Sequence, residues 1–263
     1  MKKSHLYILS FLEGGSVMML ELVTAKISEP FHGSSILIWG IIMGITLLSL
    51  SAGYFLGGML SKKKNLLAIF LYVYLTALSL SFIIPEWGEY IMESMIDMDN
   101  IRSSIYSSVL IIFPPIVLFG MTPPIIIKLL NRYKQSSGKD SGEIFAVSTI
   151  GGILFTFLNG FYLLPELGVK WAIIITVLLP SVYLLYILFT NQKLLLSFFF
   201  LLIVAFGVIL NKEGKRNMKF PKSQVLKHYS AGLFGHKMVV DHTHSNKRTL
   251  YINNVSQTNM NLK

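Results

Sequence analysis

Long apolar runs separated by short polar breaks fill the chain from Leu6 to Leu210. Seven runs can be traced, at about Leu6–Ile27, Ser35–Leu60, Leu66–Ile84, Ile105–Leu130, Ile144–Leu164, Trp171–Thr190 and Leu194–Leu210. A bilayer crossing needs about 20 helical residues, and hydrocarbon forces a backbone to satisfy its own hydrogen bonds. The pattern therefore predicts an all-α polytopic membrane protein of about seven transmembrane helices. Pro114-Pro115 and Pro123-Pro124 remove backbone donors and should break the fourth run twice. Only Asn191-Gln192-Lys193 parts the last two runs, which predicts a tight antiparallel hairpin or, as the alternative, one long bent helix. Pro85–Asn100, with its five acids and no base, reads as an acidic loop.

After Leu210 the periodicity changes. Residues 211–224 form a basic linker, and residues 225–263 alternate in the manner of short strands, GHKMVVDHT followed by NKRTLYINNVSQT. With His-Ser-Asn between them these predict a β-hairpin tail, which alone is marginal in water and needs something to pair with. The domain plan is thus residues 1–210 in the membrane, 211–224 as linker, and 225–263 as the opening strands of a larger domain.

Composition agrees with a lipid-embedded chain, since 53% of the 263 residues are hydrophobic and 14% charged, against about 25% charged in soluble domains. Most of the net +10 lies in the tail. From Asn211 onward ten Lys/Arg face two acids, a net +8, which leaves +2 for the membrane part. Such a tail fits an anionic membrane surface better than nucleic acid, for which no aromatic-basic motif is present. The absence of cysteine excludes disulfides and thiolate chemistry. Lys2-Lys3, Lys62–Lys64 and the cluster of Lys128, Arg132, Lys134 and Lys139 fall on one side of the membrane, opposite the acidic stretch. This predicts a cytoplasmic N-terminus in the inner membrane. Seven crossings would carry the basic tail to the far side.

The candidate chemistry lies in the first two runs. Glu13 and Glu21, eight residues apart on broadly one side of a helix, are ionisable groups in an apolar span and need a partner, a proton or a water cavity. They are candidates for binding an amine or another cation, with Lys26, His32 or a hydroxyl as the alternative partner for Glu21. Gly40, Gly44, Gly53 and Gly57 in the second run and Gly151 in the fifth are candidates for close helix packing. Ser148-Thr149 should bond their own helix backbone or a neighbour. Asp241, His242 and His244 read as a solvated turn, and no metal set or nucleophile–histidine–acid arrangement emerges.

Several stretches resemble one family. These are MLELVTAKISEPFHGSS with Glu21, Lys26, Pro30 and Gly33, LSAGYFLGGMLSKK with Gly53, Gly57 and Gly58, and FPPIVLFGMTPPIIIKL with Gly120, Met121 and Pro123. A fourth is GEIFAVSTIGGILFTFLNGFYLLPELGVKWA, with Gly142, Ser148, Thr149, Gly151, Gly160, Pro165 and Gly168. Across Leu12–Ala172 the chain resembles the multi-pass domain that precedes a spermidine synthase-like domain in many bacterial proteins. The tail, YSAGLFGHKMVVD and KRTLYINNVSQTNM, is similar to the strands that open spermidine synthases, with Gln257 on the glutamine of the family's Asn-x-x-Gln-Thr end. The resemblance implies a polyamine substrate, with Glu13, Glu21 and Gln257 as substrate-binding candidates. It also implies a soluble synthase-like subunit as partner. The family's aminopropyl transfer needs a glycine-rich strand-to-helix turn and an acidic residue for decarboxylated S-adenosylmethionine, and neither occurs in these residues. The expectation is a split or truncated membrane module, without a cofactor and noncatalytic by itself. The alternatives are a small cation or polyamine transporter or channel, or a purely structural membrane subunit.

Overall fold

The computed structural model describes residues 2–95, 97–131, 137–190, 224–232, 235–243, 245–252 and 255–262. Helix α1 (Lys3–His32) runs through Pro30 and ends at Gly33, whose φ of 80° suits glycine and whose amide bonds the Glu29 carbonyl at 3.0 Å. Helix α2 (Ile36–Leu60) begins at Ser35, whose hydroxyl accepts from the Ile38 amide at 3.4 Å. Helix α3 (Leu66–Ser94) continues past Pro85, so the expected acidic loop is largely helix. Its 29 residues extend about 44 Å at 1.5 Å each, beyond the ~30 Å hydrocarbon core, so the acidic turns project past the apolar slab.

The proline pairs act as expected. The fourth run is divided into α4 (Asn100–Ile111), α5 (Phe113–Gly120) and α6 (Thr122–Asn131), with each proline pair in the first turn of a new helix, where a missing amide costs little. Helix α7 (Ser137–Leu158) passes through a π-helical turn, Asn159–Leu163, into α8 (Leu164–Thr190). Gly168, at φ 76°, interrupts α8. The Thr176 hydroxyl donates to Asn159 Oδ1 at 3.1 Å, although 17 residues of straight helix would part them by about 25 Å. The chain therefore doubles back at Gly168, and the arm beyond it runs antiparallel to α7: near the start of α1, His5 meets Tyr183 of α8 and Tyr7 meets Glu143 of α7. Lys170, just beyond the turn, pairs with Glu86 of α3 at 2.6 Å, which fixes this turn at the acidic end of the bundle.

Five helical stretches among the described residues are long and apolar enough to cross a membrane, the last being the doubled-back Gly138–Thr190. The seventh run, Leu194–Leu210, and the basic linker lie outside the described residues. Helix α1 is the hub and touches each of α2 to α8. Of its most apolar stretch 67% is buried, against 33% for α2. Outward faces are apolar too: Phe55, Leu47, Tyr90 and Phe161 are all at least two-thirds exposed. In water such a surface would drive aggregation, whereas in lipid it is the solvated face.

The tail corrects the hairpin expectation. It is a four-stranded antiparallel meander in the order β1 (Gln224–Gly232), β2 (Gly235–His242), β3 (Lys247–Ile252) and β4 (Val255–Asn261). The stretch KRTLYINNVSQT, read as one strand, is two. Three ladders give the sheet cross-strand pairs that one hairpin lacks.

Candidate functional site

Ser148 and the glycines around it explain why α1 and α7 approach so closely. A Cβ on Gly14 would stand 2.6 Å from the Ser148 carbonyl carbon, one on Gly15 within 2.6–2.8 Å of the Phe155 ring, and one on Gly151 2.8 Å from the Phe11 carbonyl carbon. The helix backbones meet there, as small residues permit in lipid. Ser10 Oγ donates to the Ile144 carbonyl at 3.1 Å and Tyr7 to Glu143 at 2.5 Å across the same seam. This contact brings the Ser148 hydroxyl to Glu13 Oε2, at 3.0 Å. Thr149 turns to its own helix and donates to the Phe145 carbonyl at 2.8 Å.

Glu13 is 2% exposed and lies at the base of a groove of about 600 Å³. Helix α1 forms its floor with Gly14, Val17 and Met18, α2 one wall with Leu50 and Tyr54, and α7 the other with Gly152, Thr156 and Phe157. Tyr54 and Phe145 meet edge to face, centroids 5.8 Å apart, and join the two walls. No basic side chain pairs with Glu13 among the described residues. A buried carboxylate so placed requires a proton or a cationic ligand.

Glu21 belongs elsewhere. It is partly buried and stands beside the Thr46 hydroxyl of α2, so of its expected partners the hydroxyl is the one it meets. Lys26 instead pairs with Glu29 at 2.8 Å. Glu21 does not line the groove, and eight residues of helix place it about 12 Å from Glu13 along the axis. Gln257 is exposed on the edge strand β4. The three substrate-binding candidates therefore do not form one site, and Glu13 alone occupies a groove.

Of the packing candidates, Gly53 and Gly57 lie against the α5–α6 backbone, where a Cβ would stand 2.8 Å from Gly120 Cα and 2.7 Å from Met121 Cα respectively. Gly151 packs on α1 as described. Among the described residues Gly40 and Gly44 have no atom within 4 Å of a Cβ position, so none of the described helices packs on them. Gly14 and Gly15 carry the closest seam yet were absent from the expected set. Facing glycine pairs, Gly14-Gly15 and Gly151-Gly152, with a carboxylate next to one of them, are the signal that would have found it.

A second polar region lies toward the other end of α1. His32 Nδ1 meets Ser28 Oγ at 3.1 Å, and its Nε2 meets Ser103 Oγ of α4 at 2.8 Å. Ser103, Ser104, Ser107 and Ser108 are all buried, and the hydroxyls of Ser104, Ser108 and Thr24 have no hydrogen-bond partner among the described residues.

In the tail, Arg248 holds Asp241 through two bonds of 2.6 and 2.9 Å, which keeps that carboxyl below its usual range. The Tyr251 hydroxyl and His242 Nε2 are 3.3 Å apart, and His244 lies outside the described residues. Among the described residues no group of three His, Cys, Asp or Glu could hold a metal. Neither a protein-family model, nor a curated protein, nor a solved structure matches the chain. The likeness to the synthase-linked membrane domains thus rests on the quoted motifs alone.

Proposed function

We propose that the chain is an integral membrane module, seven-spanning and with its N-terminus in the cytoplasm of an inner membrane. It holds an amine at Glu13 on behalf of a spermidine synthase-like domain or subunit, and is noncatalytic by itself. The observation that carries the amine is the buried Glu13 carboxylate, presented to a groove with a hydroxyl at its side and no basic partner among the described residues. An ammonium group supplies the missing charge and donates to both Glu13 and Ser148. The link to a synthase comes from the motif resemblance and from the strand-rich tail.

The test is thermal unfolding of the full chain with a panel of primary amines, spermidine included. Bound amine should raise the melting temperature in a concentration-dependent way, and Glu13→Gln should abolish the rise while leaving an intact fold. A parent that responds to no amine, or a variant that responds as the parent does, overturns the reading.

A second reading is cation transfer along α1. Its support is the series Glu13, Glu21, Thr24, Ser28, Glu29 and His32 on the central helix, with hydroxyls nearby that have no partner among the described residues. Spermidine flux into proteoliposomes above that of empty vesicles would favour it, and equal flux removes it.

A further inference from the structure

The groove at Glu13 has walls that belong to the outside of the bundle. Tyr54, Ile153 and Phe157 line it and are 37%, 49% and 56% exposed, on helices whose free faces meet lipid. Its mouth thus opens sideways, between α2 and α7, into the hydrocarbon and not along the helix axes into water. Resting on the amine reading, we propose that the ligand is an amphiphile with a single ammonium group and an apolar body, which enters from the bilayer between α2 and α7.

Charge counting separates this ligand from a polyamine. Spermidine carries an ammonium or secondary ammonium every three or four carbons, and each needs an acceptor or water once buried. Glu13 is the sole carboxylate in the lining, and Glu21, the next one along α1, is about 12 Å away and faces Thr46. Val17, Met18, Leu50, Ile153 and Phe157 give an alkyl chain close contact, and the hydroxyls of Tyr54, Thr149 and Thr156 that share the lining carry no charge to offset a second ammonium. The polar pair that can meet an ammonium is confined to one end of the lining. Glu13 and Ser148 accept two N–H bonds from a primary ammonium, while the Thr156 hydroxyl, eight residues along α7, lies about 12 Å from Ser148. The volume of about 600 Å³ falls within the usual range for small-molecule sites, about 300–1,000 Å³.

The experiment is equilibrium binding of radiolabelled dodecylamine to the full chain in lipid nanodiscs, with dodecanol as the uncharged control and spermidine as competitor. Saturable dodecylamine binding is expected, at least tenfold weaker in Glu13→Gln, with no saturable dodecanol binding and no displacement by a hundredfold excess of spermidine. Ile153→Trp, at a lining position that is 49% exposed, fills the groove from its outer wall and should abolish binding without changing the melting temperature. This variant keeps the test decisive should Glu13→Gln fail to fold. Displacement by spermidine in a Glu13-dependent manner overturns the single-charge amphiphile and leaves the amine reading standing. Dodecanol binding as tight as dodecylamine overturns the role of the charge. Absence of saturable binding by either amine overturns both readings.

Discussion

At the residue scale, identical chemistry on one helix is sorted by what stands opposite. Glu13, Glu21 and Glu29 recur every eight residues along α1, so each is displaced from the last by about 12 Å and 80°. One meets a serine and a groove, one a threonine of α2, and one a lysine a turn away. Sequence spacing marked Glu13 and Glu21 as exceptional in an apolar run, because the cost of a charge in lipid depends only on residue type and depth. It does not order the two, and the groove favours Glu13. The rank was not legible because it depends on Ser148, 135 residues away, and on Gly14 and Gly151 letting that serine come within 3.0 Å.

The same distinction decides the glycines of α2, and it yields a stability prediction. The buried positions Ile38, Ile42, Ile45, Thr46, Ser49, Gly53 and Gly57 form one helical stripe. Gly40 and Gly44 lie off it, on the face of the exposed Leu47 and Leu48. Replacing Gly53 and Gly57 by Leu should force α2 from α5 and α6 and cost about 1–3 kcal/mol per site, as overpacking does. Gly40→Leu with Gly44→Leu should leave the melting temperature unchanged or raised, since leucine there meets lipid and favours helix. Thermal unfolding of the two double variants side by side checks the claim. Equal behaviour would mean that the Gly53–Gly57 contact is not a packing interface.

At the element scale, breaks were more legible than continuations. Paired prolines stopped the preceding helices because two adjacent amides are missing and the rings crowd the carbonyls of the turn before, so each pair is accommodated only in the first turn of a new helix. The single prolines Pro30 and Pro85 did not, since one lost bond is tolerated where the helix is held on both sides. Beyond Pro85, Gly88, Ile91 and Met92 are buried and keep the helix docked. Glu86, Glu89 and Glu93 follow at intervals of three and four, which is one helix face, so the continuation was written in the spacing and hidden by the reading of acids as loop. In the tail, alternation found strands correctly, but period two is blind to a turn inside a polar run, and β3 and β4 were therefore merged.

At the scale of the whole molecule, two ion-pair partners from distant segments constrain how the bundle sits in the membrane. Lys170 pairs with Glu86, so the Gly168 reversal and the acidic end of α3 share one face of the bilayer. The α2–α3 turn, which carries Lys62 to Lys64, lies at the opposite end of α3. Loops rich in Lys and Arg stay in the cytoplasm, so Lys63 should be internal, while Glu93 and Leu167 should be external. The absence of native cysteine makes each site addressable. In intact cells a membrane-impermeant maleimide should label Glu93→Cys and Leu167→Cys, and should label Lys63→Cys only after permeabilisation. All three positions lie in turns or at helix ends, where a cysteine disturbs no buried contact. The paired result is the demanding part, because Glu93 and Leu167 are 74 residues apart and share a side only if the α4–α6 run and α7 each cross once between them. Were α8 continuous through Gly168, its far end would stand about 80 Å from the start of α7, well beyond any bilayer. Labelling of Leu167→Cys together with Lys63→Cys, and apart from Glu93→Cys, would break the Glu86–Lys170 assignment and with it the sixth crossing. Labelling of Glu93→Cys and Leu167→Cys only after permeabilisation, with Lys63→Cys labelled before it, would keep the fold and invert its orientation.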